Sequence, residues 1–306
     1  MTRLLVTGAT GLLGLNLSLR ASEQRYTVIG LAHTRKLREI PFELQYVDLL
    51  DTQQALNVIQ DTKVDAIIHC AAIANINAAE QFPEITQILN VGVPARLAEK
   101  AADWQIPFIH ISSDAVFDGR TGGYVESDSP NPLSLYARSK LESEAGVLRN
   151  NPKAMVARVV FFGWSLSGTR SLSEFFFNNL RAGQSVQGFT DTYFSPLYVE
   201  DLADLLLEML ARGLSGVYHV TSLQAMSKYT FGVNIAQRFG FDPSLIEPVR
   251  AADLDRGAIR SLNLTLKPDK LQADLDCPLP TVDDGIEKLY QRWQEGYPAY
   301  LQRLAV

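Results

Sequence analysis

Tyr136 and Lys140 stand four residues apart in the stretch LYARSK, a YxxxK spacing. On a helix that is one turn, so both side chains share a face. A phenol with an ordinary pKa of about 10 exchanges protons poorly at neutral pH. A neighbouring cation favours the phenolate and brings the group toward a useful range. A third polar group, Ser113, stands at the end of an apolar run, where its hydroxyl can hydrogen-bond a carbonyl oxygen. Ser112 is adjacent and offers the same group, and a serine pair can equally cap the turn that follows. Together Ser113, Tyr136 and Lys140 have the makings of a site that moves a proton to or from a carbonyl oxygen.

A second constellation opens the chain. Gly8, Gly11 and Gly14 follow the apolar run Leu4–Val6 at three-residue spacing, giving GxxGxxG rather than GxGxxG. Strand, glycine turn and helix aim backbone N–H groups at a pyrophosphate. Gly8 allows the tight turn, Gly11 lets phosphates approach, and Gly14 lets helix and strand pack closely; Thr10, Leu12 and Leu13 lie on the same turn. In an NAD site an acid about twenty residues on holds the ribose 2′-OH. Here that stretch reads His33, Thr34, Arg35, Lys36, with no acid and two cations, which favours NADP over NAD. With a nicotinamide carrying the hydride and Tyr136 the proton, the trio supports hydride transfer at a carbonyl.

The elements that must position these residues alternate. Strands are expected at 4–6, 26–32, 42–47, 64–70, 107–112 and 154–160, and helices at 15–24, 52–60, 83–102 and 135–148. Strand–helix alternation at this rhythm implies an α/β fold, a doubly wound parallel sheet covered on both faces. Beyond Gly163 the alternation loosens. Helices are expected at 172–181, 199–210, 227–239 and 283–293, a strand at 216–220, and a loop at 183–193. This divides the chain into a dinucleotide-binding domain, residues 1–163, and a smaller C-terminal α/β substrate lobe, residues 164–306, with parts of 195–221 returning to the first domain.

The 306 residues carry 28 basic and 34 acidic side chains, a formal charge of −6. That balance disfavours nucleic acid and anionic membranes as partners. Cys70 and Cys277 are the two cysteines, too few for a disulfide framework. The first strand begins near residue 3 and no apolar run reaches membrane-spanning length, so a cytoplasmic protein is expected. His33, His69, His110 and His219 lack metal-ligand spacing, so no metal is expected. His110 and His219 read as satisfied strand histidines. Phe175–Phe177 reads as a helix packing into the second lobe. Asp191 and Tyr193 precede the turn Phe194–Pro196 and read equally as substrate contacts or loop residues.

TGATGLLG at 7–14, HCAA at 69–72, ISSDAVFDG at 111–119 and LYARSK at 135–140 resemble the extended short-chain dehydrogenase/reductases. Within them the chain is similar to the dTDP-4-dehydrorhamnose reductase branch, which also contains the NADP-binding regulatory beta subunit of methionine adenosyltransferase. FSPLYVEDLA at 194–203, GVYHVTS at 216–222 and SKYTFGVNIAQRFG at 227–240 extend the resemblance over nearly the whole chain. It implies a Rossmann-like fold and an NADP(H)-dependent reductase of a keto group on a nucleotide-activated sugar, working as a monomer or homodimer. Ser113, Tyr136 and Lys140 would be the catalytic set. Asp48 and Leu49 would border the adenine, and Ala71 and Ala72 the nicotinamide ribose. Asn90 would shape its helix and help a water relay toward Lys140. Asp114, Ala115, Phe194 and Arg260 would face the sugar nucleotide. The chain departs from the branch at Ala115, where a tyrosine is usual, at Ser261, where a proline follows the arginine, and at Lys267, where an aspartate follows the leucine. Two other functions fit the same resemblance: a catalytically silent NADP-binding regulatory subunit of a partner enzyme such as methionine adenosyltransferase, and a nucleotide-sugar epimerase.

Overall fold

The computed structural model describes residues 1–254 and 261–306. Seven parallel strands form the central sheet: β1 (Arg3–Thr7), β2 (Thr27–Ala32), β3 (Glu43–Tyr46), β4 (Ala66–His69), β5 (Phe108–Ser113), β6 (Met155–Val159) and β7 (Gly216–Val220). Their spatial order is β7-β6-β5-β4-β1-β2-β3. The chain starts in the middle and winds first one way and then the other, which creates a crevice at the strand C-termini beside β1.

Alternate residues of each strand feed two cores. Leu4, Val6, Ile68, Ile109 and Met155 pack on one face with α1 (Leu12–Glu23) and α6 (Val199–Ala211). Leu5, Ile29, Ile67, Phe108 and Val156 pack on the other with α2 (Thr52–Thr62), α3 (Val93–Asp103) and α4 (Leu135–Asn150). A sheet covered on both faces explains why its strands read as continuous apolar runs. The second half of the chain contributes α5 (Leu172–Arg181), α7 (Lys228–Phe239) and α8 (Val282–Gln294), and α7 packs against both of the others. β7 pairs with β6 from Gly216↔Met155 to Val220↔Val159, so this late segment completes the first sheet.

Two stretches differ from the sequence expectation. The helix expected over 83–102 is broken: Pro83–Gln87 is α-helical, Ile88–Gly92 is a π-turn, and α3 begins at Val93. Pro94 has no N–H to give the Asn90 carbonyl, and the ladder slips one residue wider, with the Val93 N–H reaching Ile88. The loop expected over 183–193 contains the strand Val186–Phe189, which pairs in parallel with Ile246–Val249. Its partner lies some sixty residues on, beyond the reach of local pattern. Tyr193–Phe194 also pairs, antiparallel to Met226–Ser227.

Candidate active site at the strand C-termini

The glycine turn is built so tightly that side chains are excluded. Gly8 has a φ of +66°, and a Cβ there would sit 2.9 Å from Ala71 Cα. At Gly14 a Cβ would lie 2.2 Å from the Gly8 carbonyl oxygen, so helix and strand could not keep this contact. Gly11 caps α1 without a side-chain hydrogen bond, leaving the first-turn N–H groups for a ligand. Thr10, Gly11 and Leu12 are half-buried on this turn, and Leu13 is buried beneath it. An anionic dinucleotide fits such a cradle, because bare N–H donors at a helix N-terminus recognise a pyrophosphate.

The residues expected to meet an adenosine follow the same strand edge. His33, Thr34, Arg35 and Lys36 are exposed beyond β2, and Thr34, Arg35 and Lys36 line a cavity of about 590 Å³ with Leu166, Ser167, Ala305 and Val306. Asp48 holds the turn beyond β3 by accepting the Leu50 N–H at 3.0 Å, and Leu49 is buried beside it. Ala71 and Ala72 follow β4 and are half-buried, with the Ala71 N–H donating to Thr7 Oγ1 at 3.2 Å.

Ser113 ends β5, and its Oγ donates to Asp114 Oδ1 at 2.9 Å and accepts the Ala115 N–H at 3.2 Å. The capping reading of this serine therefore describes a real contact. Ser112, by contrast, points into the sheet and donates to Glu144 at 2.5 Å. Ser134 caps α4 by accepting the Ala137 N–H, which starts the helix so that Tyr136 and Lys140 fall on its inner side. Ser113 stands beside the Tyr136 phenol and favours its ionised form.

The electrostatics correct the expectation that Lys140 lowers the phenol's pKa. Burial pushes Tyr136 up to about 12, opposed by Ser113 and assisted by the Asp114 charge. Burial also brings Lys140 down to about 8, against the pull of Glu144 and Cys70. The lysine nitrogen lies 3.4 Å from His110 Nε2, which is where its polar contact is made. Asp114 is pushed up to about 6, chiefly by burial, with Ser113 and Lys228 opposing.

The Asn90 side chain shapes its surroundings. Its Nδ2 donates to the Ile73 carbonyl at 3.1 Å and to Ser139 at 3.0 Å, and its Oδ1 accepts the Ile73 N–H at 2.8 Å. With both amide hydrogens used, it clamps the loop after β4 to α4. Phe194 packs against Phe231 with ring centroids 5.5 Å apart and is buried, so it serves the hydrophobic core. Asp191 accepts the N–H groups of Ala251 and Ala252, which makes it a loop residue. Ala115 is half-buried on the turn after Ser113, and Arg260 lies outside the described residues.

Polar side chains on the inner strands escaped sequence reasoning. His69 Nε2 and His110 Nδ1 are buried without partners, so His110 is not the fully satisfied histidine expected. The available signal was an alignment: Thr7, His69 and His110 each interrupt an apolar strand near its C-terminus, and pairing places them side by side.

The family model described as RmlD substrate binding domain matches residues 1–295. The probable low-salt glycan biosynthesis reductase Agl14 of Haloferax volcanii is 37% identical over 290 residues, covering 93% of this chain and 96% of that protein. Methionine adenosyltransferase 2 subunit beta of Xenopus tropicalis is 35% identical over 254 residues, covering 81% of this chain and 75% of that one. Among solved structures, dTDP-4-dehydrorhamnose reductase of Bacillus anthracis, in complex with NADP, aligns with a TM-score of 0.85 at 22% identity, over 95% of this chain and all of that one.

Proposed function

The chain belongs to the RmlD substrate-binding-domain family, and from that premise we propose that it is an NADP(H)-dependent reductase of a keto group on a nucleotide-activated sugar. The observation that carries this reading is the convergence of Ser113, Tyr136 and Lys140 beside the Gly8–Gly14 cradle at one edge of the sheet. A bound reduced nicotinamide would supply the hydride for the carbonyl carbon. Tyr136 gives its proton to the carbonyl oxygen. A phenol held at about 12 is protonated at physiological pH, as a proton donor must be. Ser113 orients the carbonyl oxygen, and Lys140 holds the ribose and resupplies the proton. Arg35 and Lys36 receive a 2′-phosphate at the open end of the cradle. The second lobe, residues 164–306, closes over the sugar nucleotide, with Asp114 and Ala115 nearest the reacting carbon.

The deciding experiment follows NADPH oxidation with a panel of nucleotide 4-keto-6-deoxy sugars. Tyr136→Phe is expected to reduce turnover by roughly 10²–10⁴ with NADPH affinity nearly unchanged. Unchanged turnover in that variant removes Tyr136 from the mechanism.

A second reading is an NADP-binding regulatory subunit, favoured by the similarity to methionine adenosyltransferase 2 subunit beta and by Ala115 where the branch carries a tyrosine. NADPH binding without turnover on any sugar, together with co-purification of a synthetase partner, decides for it.

A further inference from the structure

The hydrogen bonds beneath Lys140 fix which nitrogen of each histidine carries a proton. Thr7 Oγ1 accepts the N–H groups of Cys70 at 3.1 Å and Ala71 at 3.2 Å, and lies 2.8 Å from His69 Nδ1. With both oxygen lone pairs taken, the hydroxyl hydrogen goes to Nδ1, and His69 carries its own proton on Nε2. His110 Nε2 lies 2.8 Å from Ser143 Oγ, whose hydrogen is given to the Lys140 carbonyl at 2.6 Å. The imidazole must therefore donate, which leaves His110 Nδ1 as a bare acceptor. The two unpartnered nitrogens are thus a donor on His69 and an acceptor on His110. The residues pair across adjacent strands, with ring centroids 5.6 Å apart.

We propose that His110 is a positioning residue for Lys140, its tautomer imposed through Ser143, so that the lysine meets a nitrogen with no lone pair for an ammonium hydrogen and works as a proton carrier rather than a fixed cation. The Lys140 nitrogen stands 3.4 Å from His110 Nε2. The hydrogen on that nitrogen goes to Ser143 Oγ at 2.8 Å, so it offers an ammonium no acceptor and favours the neutral amine. The other titratable groups facing Lys140 are Glu144 on its own helix, and Cys70 and His69 from the end of β4. Burial holds both histidines neutral, His69 down at about 3 and His110 well below its usual value, so neither adds a competing charge at physiological pH. A Lys140 that changes charge near about 8 can take up a proton and return it to Tyr136 within a turnover. The catalytic use of that proton rests on the reductase reading; the tautomers and the lysine's titration do not.

The test labels lysine Cε with ¹³C and follows the Lys140 resonance against pH, identified by its loss in Lys140→Met. In His110→Gln the carboxamide oxygen can reach the Nε2 position and accept from an ammonium, and the Lys140 midpoint is expected to rise by about one pH unit or more. An unmoved midpoint overturns the proposal. Should His110→Gln fail to fold, ¹⁵N shifts of the wild-type histidines decide: both rings are expected as Nε2–H, and a proton on His110 Nδ1 overturns the proposal. The alkaline limb of turnover is expected to move with the lysine midpoint. Inactivity on every sugar would overturn the reductase reading and leave these NMR outcomes standing.

Discussion

Asp114 shows how a buried carboxyl beside the Ser113 hydroxyl shapes stability. Its pKa is raised to about 6 because the ionised form loses water that Ser113 and Lys228 only partly replace. The folded value lies above the unfolded one, so the neutral carboxyl favours the fold at low pH. That contribution is full below an unfolded value of about 3.8 and is lost as pH rises through about 6. Asp114→Asn, neutral at every pH, is expected to gain on the wild type by on the order of 2–3 kcal/mol between pH 4 and pH 7. Denaturant melts at those two pH values check it; a difference independent of pH would mean that Asp114 stays hydrated. The identity of Ser113, Tyr136 and Lys140 as chemical groups could be read from sequence, because residue type and one-turn spacing carry that information. The direction of the Tyr136 shift could not, since it depends on how much water burial removes and on Lys140 turning toward His110.

At the scale of elements, the turn between β1 and α1 has the least tolerance. A Cβ on Gly14 would lie 2.2 Å from the Gly8 carbonyl oxygen and 3.1 Å from Ala9 Cα, both backbone atoms that cannot rotate away. Gly14→Ala must therefore move the first turn of α1, at a cost of about 1–3 kcal/mol. It also spreads the N–H groups that would hold the pyrophosphate, and NADPH affinity is expected to fall by at least roughly tenfold. Fluorescence titration with NADPH, beside a urea melt, separates the two effects. Retained affinity would show that the cofactor does not use this turn. The glycine spacing and the surrounding strand–helix rhythm were legible because both are local. The π-turn at Ile88–Gly92 was not, although its cause, Pro94, stood in the sequence. Removing one hydrogen bond permits either a kink or a wider turn. Here the wider turn sets Asn90 against Ile73 and Ser139.

Across the whole molecule, a buried network joins α4 to the strand that returns from the second half of the chain. Arg158 on β6 makes a two-pronged contact with Glu144 on α4, with Nη2–Oε2 at 2.8 Å and Nε–Oε1 at 3.0 Å. Ser112 on β5 donates to the same carboxylate, Phe117 lies under the guanidinium, and His219 on β7 approaches it at 3.4 Å. Both charged side chains are 5% exposed, so neither can recover hydration if the other is removed. Glu144→Gln leaves the guanidinium without its counter-charge and is expected to cost about 3–5 kcal/mol. The pair Arg20–Asp204, which joins α1 to α6, provides the contrast: its side chains are 29% and 39% exposed. Asp204→Asn is expected to cost less than about 1 kcal/mol and to lose that effect in high salt. Because β7 completes the sheet and α6 packs on α1, the Glu144→Gln loss should lower a single transition for the whole chain, not one half of it. Calorimetry of both variants at low and high salt tests this. Two separate transitions in Glu144→Gln would mean that the halves fold independently, and a cost no larger than that of Asp204→Asn would mean that water reaches the buried pair.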